Sequence, residues 1–155
     1  MRVGMGFDIH RLAENRPLIL GGIRVPHPKG LLGHSDADVV LHALCDALLG
    51  AVGEGDIGLH FPDSDPRWKG AQSRDFIEKA LEFVRRRNLK LANADLVLLA
   101  EAPKLSGHRQ AIQRSVAEIL SVKPDRVNVK AKTMEGLGPI GSQEAVASYA
   151  VVLLE

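Results

Sequence analysis

From Arg2 to His10 the chain alternates: Val3, Met5, Phe7 and Ile9 take the odd positions, and Gly4, Gly6, Asp8 and His10 follow Arg2 on the even ones. A period of two excludes a helix here and predicts a β-strand, with the apolar odd side chains toward a core and the even side chains available for chemistry. Asp8 and His10 then project the same way. Such a pair on a polar strand face is ordinarily solvated or salt-bridged. Two side chains at i and i+2 also aim at one point, which is how a rigid strand grips a divalent ion.

Local patterns predict the remaining elements. Pro17–Pro26 reads as a hairpin turning at Gly21 and Gly22. In "HSDADVVLHALCDALLGAV", Leu41, Leu44, Cys45, Leu48, Leu49 and Val52 form a helical apolar stripe, with Ser35 or Asp36 as cap and Asp38, His42 and Asp46 on another face. "GEGDIGLHFPDSDPRWKGAQ" has the Gly, Pro and Asp density of an irregular loop, long enough to favour a functional role. A second helix starts at Ser73, "LKLANADLVLLA" is a strand, and "SGHRQAIQRSVAEILSV" is a third helix. "RVNVKAKT" alternates as a strand, and the nearly continuous apolar run "AVASYAVVLL" predicts a strand covered on both faces. This order predicts one domain over residues 1–155, an α+β sandwich with its helices on one face.

Composition narrows the function classes. Twenty basic and nineteen acidic residues create no field that would favour nucleic acid or an anionic membrane. The single cysteine, Cys45, rules out an internal disulfide and a Cys-rich zinc module, so a metal would rest on histidine and carboxylate. No stretch approaches the roughly 20 apolar residues of a membrane span, and the strand-like start carries no leader pattern; a cytoplasmic protein is expected.

A cation at Asp8 and His10 needs a third ligand. His42, at the edge of a stripe that must dock on the sheet, is the best placed, with His34, His27, His60 and His108 as rivals. An Asp, His, His set leaves zinc a fourth, open position, as catalytic sites do. His34 and Ser35, just before the helix, suit phosphate contact as well as capping. Asp56, Asp63 and Asp65 lie in the loop, where turn formation is their commonest role. Lys132 and Thr133 are phosphate-contact types, and Glu135 suits a hard cation. The common nucleotide-loop signatures and the serine-hydrolase elbow are absent.

"GFDIH", "LLGHSDADVVLHALCDALLGA", "GDIGLHFPDSDPRWKGAQSR", "AEAPKL" and "VNVKAKTMEGLG" resemble, in order and spacing over essentially the whole chain, the 2-C-methyl-D-erythritol 2,4-cyclodiphosphate synthase family. The resemblance implies a ferredoxin-like α+β sandwich with a mixed four-stranded sheet, helices on one face and a small hairpin. It implies a homotrimer with active sites between subunits, acting on a cytidylyl diphosphate substrate in isoprenoid biosynthesis and releasing CMP. Asp8, His10 and His42 would bind Zn2+, and Glu135 would help hold a second divalent cation, Mg2+ or Mn2+. His34 and Thr133 would be catalytic, while Ser35, Asp56, Gly58, Asp63 and Lys132 would bind the substrate. Ala100, Pro103, Lys104, Leu105 and Ala131 would take up the nucleotide, within a segment running from Ala100 to Ser106. The loop from Pro62 to Ala71 would be mobile.

The chain departs from the family pattern in one place. Where members commonly read "GFxGR", it has "GPIGS": Pro139 and Ser142 replace the Phe and Arg that usually line a trimer-axis cavity for an isoprenoid diphosphate. Two other functions fit the same ligand set. A zinc phosphohydrolase would release phosphate from generic esters, and a metal-stabilised binding module would turn nothing over.

Overall fold

The opening alternation forms strand β1 (Arg2–Glu14), but its faces are exchanged relative to expectation. In the computed structural model, which describes residues 1–155, Val3 and Met5 are each 68% exposed and Phe7 and Ile9 each 42%, whereas Gly4 and Gly6 are buried. The reason is helix α1 (Val39–Val52), which lies against the glycine face. A Cβ at Gly4 would overlap the Ala47 carbonyl, and one at Gly6 the Ala43 carbonyl. Two missing side chains let the helix backbone approach closer than any apolar residue would permit.

Helix α1 is the centre of the core. Eleven of its fourteen residues are buried, and the three that are not, His42, Asp46 and Gly50, recur every fourth position in one line. Burial of Leu41, Leu44, Leu48 and Leu49 contributes roughly 1.5–3 kcal/mol each. Neither Ser35 nor Asp36 caps the helix. Asp38 does, accepting from Val40 N at 3.1 Å and Leu41 N at 3.2 Å. Rather than lying on an open helix face with His42, Asp38 is fully buried. It also accepts from Gly21 N and Gly22 N, at 2.9 and 2.6 Å, which joins the helix to the turn between β2 (Leu18–Leu20) and β3 (Ile23–Val25). Both glycines have positive φ, +62° and +81°, as this tight hairpin requires. Burial outweighs these bonds and pushes the Asp38 carboxyl up to about 6.

After α1 come the one-turn helix α2 (Ile57–His60), helix α3 (Ser73–Arg86), strand β5 (Leu91–Leu99), helix α4 (Arg109–Ile119), strand β6 (Val127–Lys132), the short α5 (Gly138–Gly141) and strand β7 (Ala145–Leu154). The stretch expected to be irregular contains α2 and a 3-10 turn at Pro66–Trp68. The main sheet has five strands rather than four, because the short β4 (Lys29–Leu31) pairs with the end of β1; the order is β4-β1-β7-β5-β6. Only β5 and β6 are parallel, joined through α4, while the hairpin forms its own two-stranded sheet. The long elements follow the succession β-α-α-β-α-β-β, distinct from the β-α-β-β-α-β of a ferredoxin-like chain.

Helices cover one face, as expected. Strand β7 is not covered on both: Tyr149 and Val151 are 42% and 40% exposed, and Tyr149 packs beside Phe7 with ring centroids 4.6 Å apart. The apolar run encodes one face against the helices and a second apolar face open in the single chain. No helix is long and apolar enough to cross a membrane.

Candidate cation and phosphate site

Asp8 and His10 leave β1 on the side facing α1, just beyond the glycines, and His42 meets them from the helix. His10 Nε2 lies 2.9 Å from Asp8 Oδ2, His42 Nδ1 lies 3.0 Å from the same oxygen, and the two ring nitrogens are 3.1 Å apart. Of the candidate third residues, His42 is the one the fold brings into a donor cluster with Asp8 and His10. Of its rivals, His60 instead gives its Nε2 hydrogen to the Glu54 carbonyl at 2.7 Å, and neither His27 nor His108 lines the cavity.

Outer contacts prepare the trio. His10 Nδ1 donates to the Leu32 carbonyl at 2.8 Å, leaving the lone pair of the neutral ring on Nε2, toward the cluster. His42 Nε2 is 3.1 Å from Ser35 Oγ, an arrangement that leaves Nδ1 free to coordinate. Zinc with bonds of about 2.0–2.1 Å would hold its donors about 3.3 Å apart, so this triangle fits the ion after opening by a few tenths of an ångström.

The electrostatics agree with that fit. Burial works against the Asp8 charge, but hydrogen bonds from His10 and His42 outweigh it and hold the carboxyl well below the usual range. Burial also works against a charged His10, yet the Asp8 hydrogen bond and charge, aided by the Leu32 carbonyl, raise its pKa. The cluster concentrates negative charge that a proton on His10, or a cation in its place, satisfies.

The trio lies on the wall of a cavity of about 590 Å³ that His34, Ser35, Gly58 and Asp63 also line. Asp56 lies outside that lining and caps α2, accepting from Leu59 N at 3.0 Å. Asp65 caps the 3-10 turn and pairs with Arg67 at 2.6 Å, a local turn role. Asp46, one helical turn after His42, holds the neighbouring segment by accepting from Ile57 N at 2.7 Å. The cavity also has an aromatic wall that residue types alone do not flag, where Phe61 stacks on Phe76 at 4.5 Å and Trp68 stands edge-on to both. Its signal was a pair of aromatics in a polar loop. His34 Nε2 and Trp68 Nε1 are buried without a hydrogen-bond partner.

The other expected residues gather elsewhere. Ala100, Pro103, Lys104, Leu105, Ala131, Lys132 and Thr133 line a second cavity of about 410 Å³, which shares no residue with the first. Glu135 follows it, exposed at φ +52° and accepting the Thr133 hydroxyl at 2.6 Å, apart from the Asp8, His10 and His42 donors. Glu101 joins the two sides of this second cavity by accepting from Met134 N at 3.1 Å. Ser142 turns its hydroxyl to Glu144 at 2.9 Å.

Fold and site together define an α+β protein in which two histidines and one aspartate, a set that could hold a cation, converge on the wall of a cavity with polar and aromatic sides. The YgbB family matches residues 1–155, and the chain belongs to it. A 2-C-methyl-D-erythritol 2,4-cyclodiphosphate synthase of Synechococcus sp. (strain JA-2-3B'a(2-13)) is 56% identical over 154 residues, 99% of this chain and 98% of that protein. A solved 2C-methyl-D-erythritol-2,4-cyclodiphosphate synthase in its CDP-bound form superposes with a TM-score of 0.92 at 48% identity, covering 99% of this chain and all of the other. The bifunctional IspDF of Campylobacter jejuni superposes at 0.94 with 44% identity; there the match covers 99% of this chain but 42% of that one.

Proposed function

We propose that this chain converts 4-diphosphocytidyl-2-C-methyl-D-erythritol 2-phosphate to 2-C-methyl-D-erythritol 2,4-cyclodiphosphate and CMP, in the non-mevalonate isoprenoid pathway. An oxygen of the 2-phosphate attacks the β-phosphorus; the bond from that phosphorus to the oxygen bridging it to the α-phosphate breaks, and CMP leaves with the electron pair. This makes the enzyme a cyclising phosphorus-oxygen lyase. The observation that carries the reading is the convergence of Asp8, His10 and His42 on the cavity that His34 and Ser35 line, in a chain that belongs to this family.

An ionised phosphate is already a nucleophile, so the site's main task is to align two anionic groups that repel each other. Asp8, His10 and His42 would hold a zinc ion, and Glu135 would contribute to a second site for Mg2+ or Mn2+. Such cations supply, when bound, Lewis-acid neutralisation of phosphoryl oxygens. His34 and Ser35 contact the phosphate on the first cavity, Thr133 and Lys132 meet the diphosphate on the second, and Asp56, Gly58 and Asp63 position the methylerythritol part. Ala100, Pro103, Lys104, Leu105 and Ala131 receive the nucleotide. The aromatic loop excludes water.

One substrate must then touch two cavities with no common wall in a single chain. A homotrimer resolves this by setting the nucleotide cavity of one copy against the cation cavity of the next. The open apolar face of β1 and β7 supports such an assembly. A cytoplasmic location suits a biosynthetic enzyme of this kind.

The test is product analysis by phosphorus NMR on purified protein with zinc and magnesium. The expected result is equimolar cyclic diphosphate and CMP from the cytidylyl substrate, with generic phosphate esters untouched. Free phosphate from those esters, or no cyclic product, would overturn the proposal.

A further inference from the structure

The segment His34–Asp36 is held from two sides. Toward the cation site, Ser35 Oγ meets His42 Nε2 at 3.1 Å. Toward the loop, Gly70 N donates to the His34 carbonyl at 2.9 Å, and Asp36 N donates to the Ala71 carbonyl at 3.0 Å. The Asp36 carboxylate completes this seam. Its Oδ2 accepts from Ser73 N at 3.1 Å, and its Oδ1 accepts the Ser73 hydroxyl and, at 3.2 Å, Asp38 N.

Ser73 opens helix α3 and is fully buried, while the preceding Gln72 makes no side-chain cap bond. Asp36 therefore supplies the cap from a distant part of the chain, and it is the acceptor for both hydrogen-bond donors of a buried serine. The loop between has two dissimilar ends. At its start Phe61 is held by aromatic stacking on Phe76; at its finish Gly70 and Ala71 are hydrogen-bonded to the segment that carries His34 and Ser35. Asp63 and Trp68 hang between those ends over the first cavity.

We propose that Asp36 is a positioning residue that anchors the C-terminal end of this loop to the phosphate-contact segment, so that covering the cavity and aligning His34 and Ser35 are one event. The inference rests on the phosphoryl-transfer reading for its kinetic consequence, but its structural consequence stands apart from it. Without the carboxylate, the hinge retreats into the first turn of α3, and the loop swings about a longer lever. Asp36 does not line the first cavity and touches none of the three cation ligands.

Trp68 is the chain's one tryptophan and reports directly on the loop. The experiment compares wild type with Asp36→Ala and Asp36→Asn in the full zinc-loaded protein. It reads acrylamide quenching of Trp68 without substrate, zinc content, CMP affinity, and kcat and KM for CMP release. Asp36→Ala is expected to raise the quenching constant roughly two-fold and to lower kcat roughly ten-fold, leaving zinc content and CMP affinity unchanged. Asp36→Asn, which keeps one acceptor, falls between. If Asp36→Ala does not fold, Ser73→Ala, which removes only the hydroxyl bond, must shift Trp68 quenching the same way by less. Lower melting temperature with unchanged Trp68 quenching, in either Asp36→Ala or the serine variant, would show a purely structural role and overturn the inference. Failure of wild type to release CMP would count against the reaction, while the substrate-free quenching comparison still decides the anchor.

Discussion

Asp8 Oδ2 lies 3.0 Å from His42 Nδ1, across 34 positions of sequence and two different secondary-structure elements. The contact exists because α1 sits tightly on the glycine face of β1, so the site and the packing of the core are one arrangement. Removing the helix's donor should therefore abolish cation binding by the cluster. His42→Ala is expected to lose zinc to below about a tenth of an equivalent and to lower CMP release more than about 100-fold, beyond the ~10–100-fold typical of outer-shell partners. Elemental analysis beside the CMP assay checks both, and full zinc content in the variant would refute the ligand assignment.

The pH response of the metal-free protein follows from the two shifted groups. His10 has its pKa raised above 6.5, so its contribution to stability is fully present below 6.5 and is lost as the pH climbs through the raised value. Asp8 is depressed from 3.8, so its contribution is present above 3.8 and lost as the pH falls toward the folded-state value. The pair thus supports the metal-free fold best between those limits. Metal binding has the opposite dependence on His10, because the cation must displace the proton on Nε2. Apparent zinc affinity should rise about ten-fold per pH unit up to the raised pKa and then level off. Calorimetric titrations across pH 5.5 to 8 in several buffers would measure the slope and the released proton; a flat profile would contradict it.

Gly6→Ala should damage stability and site together. The new Cβ would overlap the Ala43 carbonyl and press on Asp46 Cβ, so α1 must lift from β1 in the turn that carries His42. A loss of roughly 3 kcal/mol is expected from urea unfolding, with weakened zinc binding in whatever fraction folds. Undiminished stability would mean that the helix does not sit as close as described.

Phe7→Glu tests the open sheet face. Phe7 and Tyr149 centre an apolar patch that includes Val3, Met5, Ile9 and Val151, all partly or largely exposed in one chain. A carboxylate at its centre should abolish self-association while the helix-facing core remains intact. Light scattering should then give the mass of a single chain for the variant and three times that for wild type, with retained helical circular dichroism. A wild-type protein that runs as one chain would dispose of the trimer.

The sequence by itself determined the four long strands, the main helices, the hairpin and the paired placement of Asp8 and His10, but not the short β4, because the former rest on local periodicity and on spacings within one element. The i, i+2 placement of Asp8 and His10 needed nothing beyond a strand. Tertiary structure alone decided which face of that strand is inside. Alternation reveals two unlike faces but not their partners, and a glycine that admits a helix has no side chain with which to announce it. The same limit applies to Ser35 and Asp36: either resembles a cap for the next helix, yet Asp38 takes that place and Asp36 caps a helix that starts at Ser73. Which histidine completes the trio, and that the two cavities remain separate in one chain, depend on contacts between residues far apart in sequence. Those contacts are settled by close packing of whole elements, a property no short window of sequence contains.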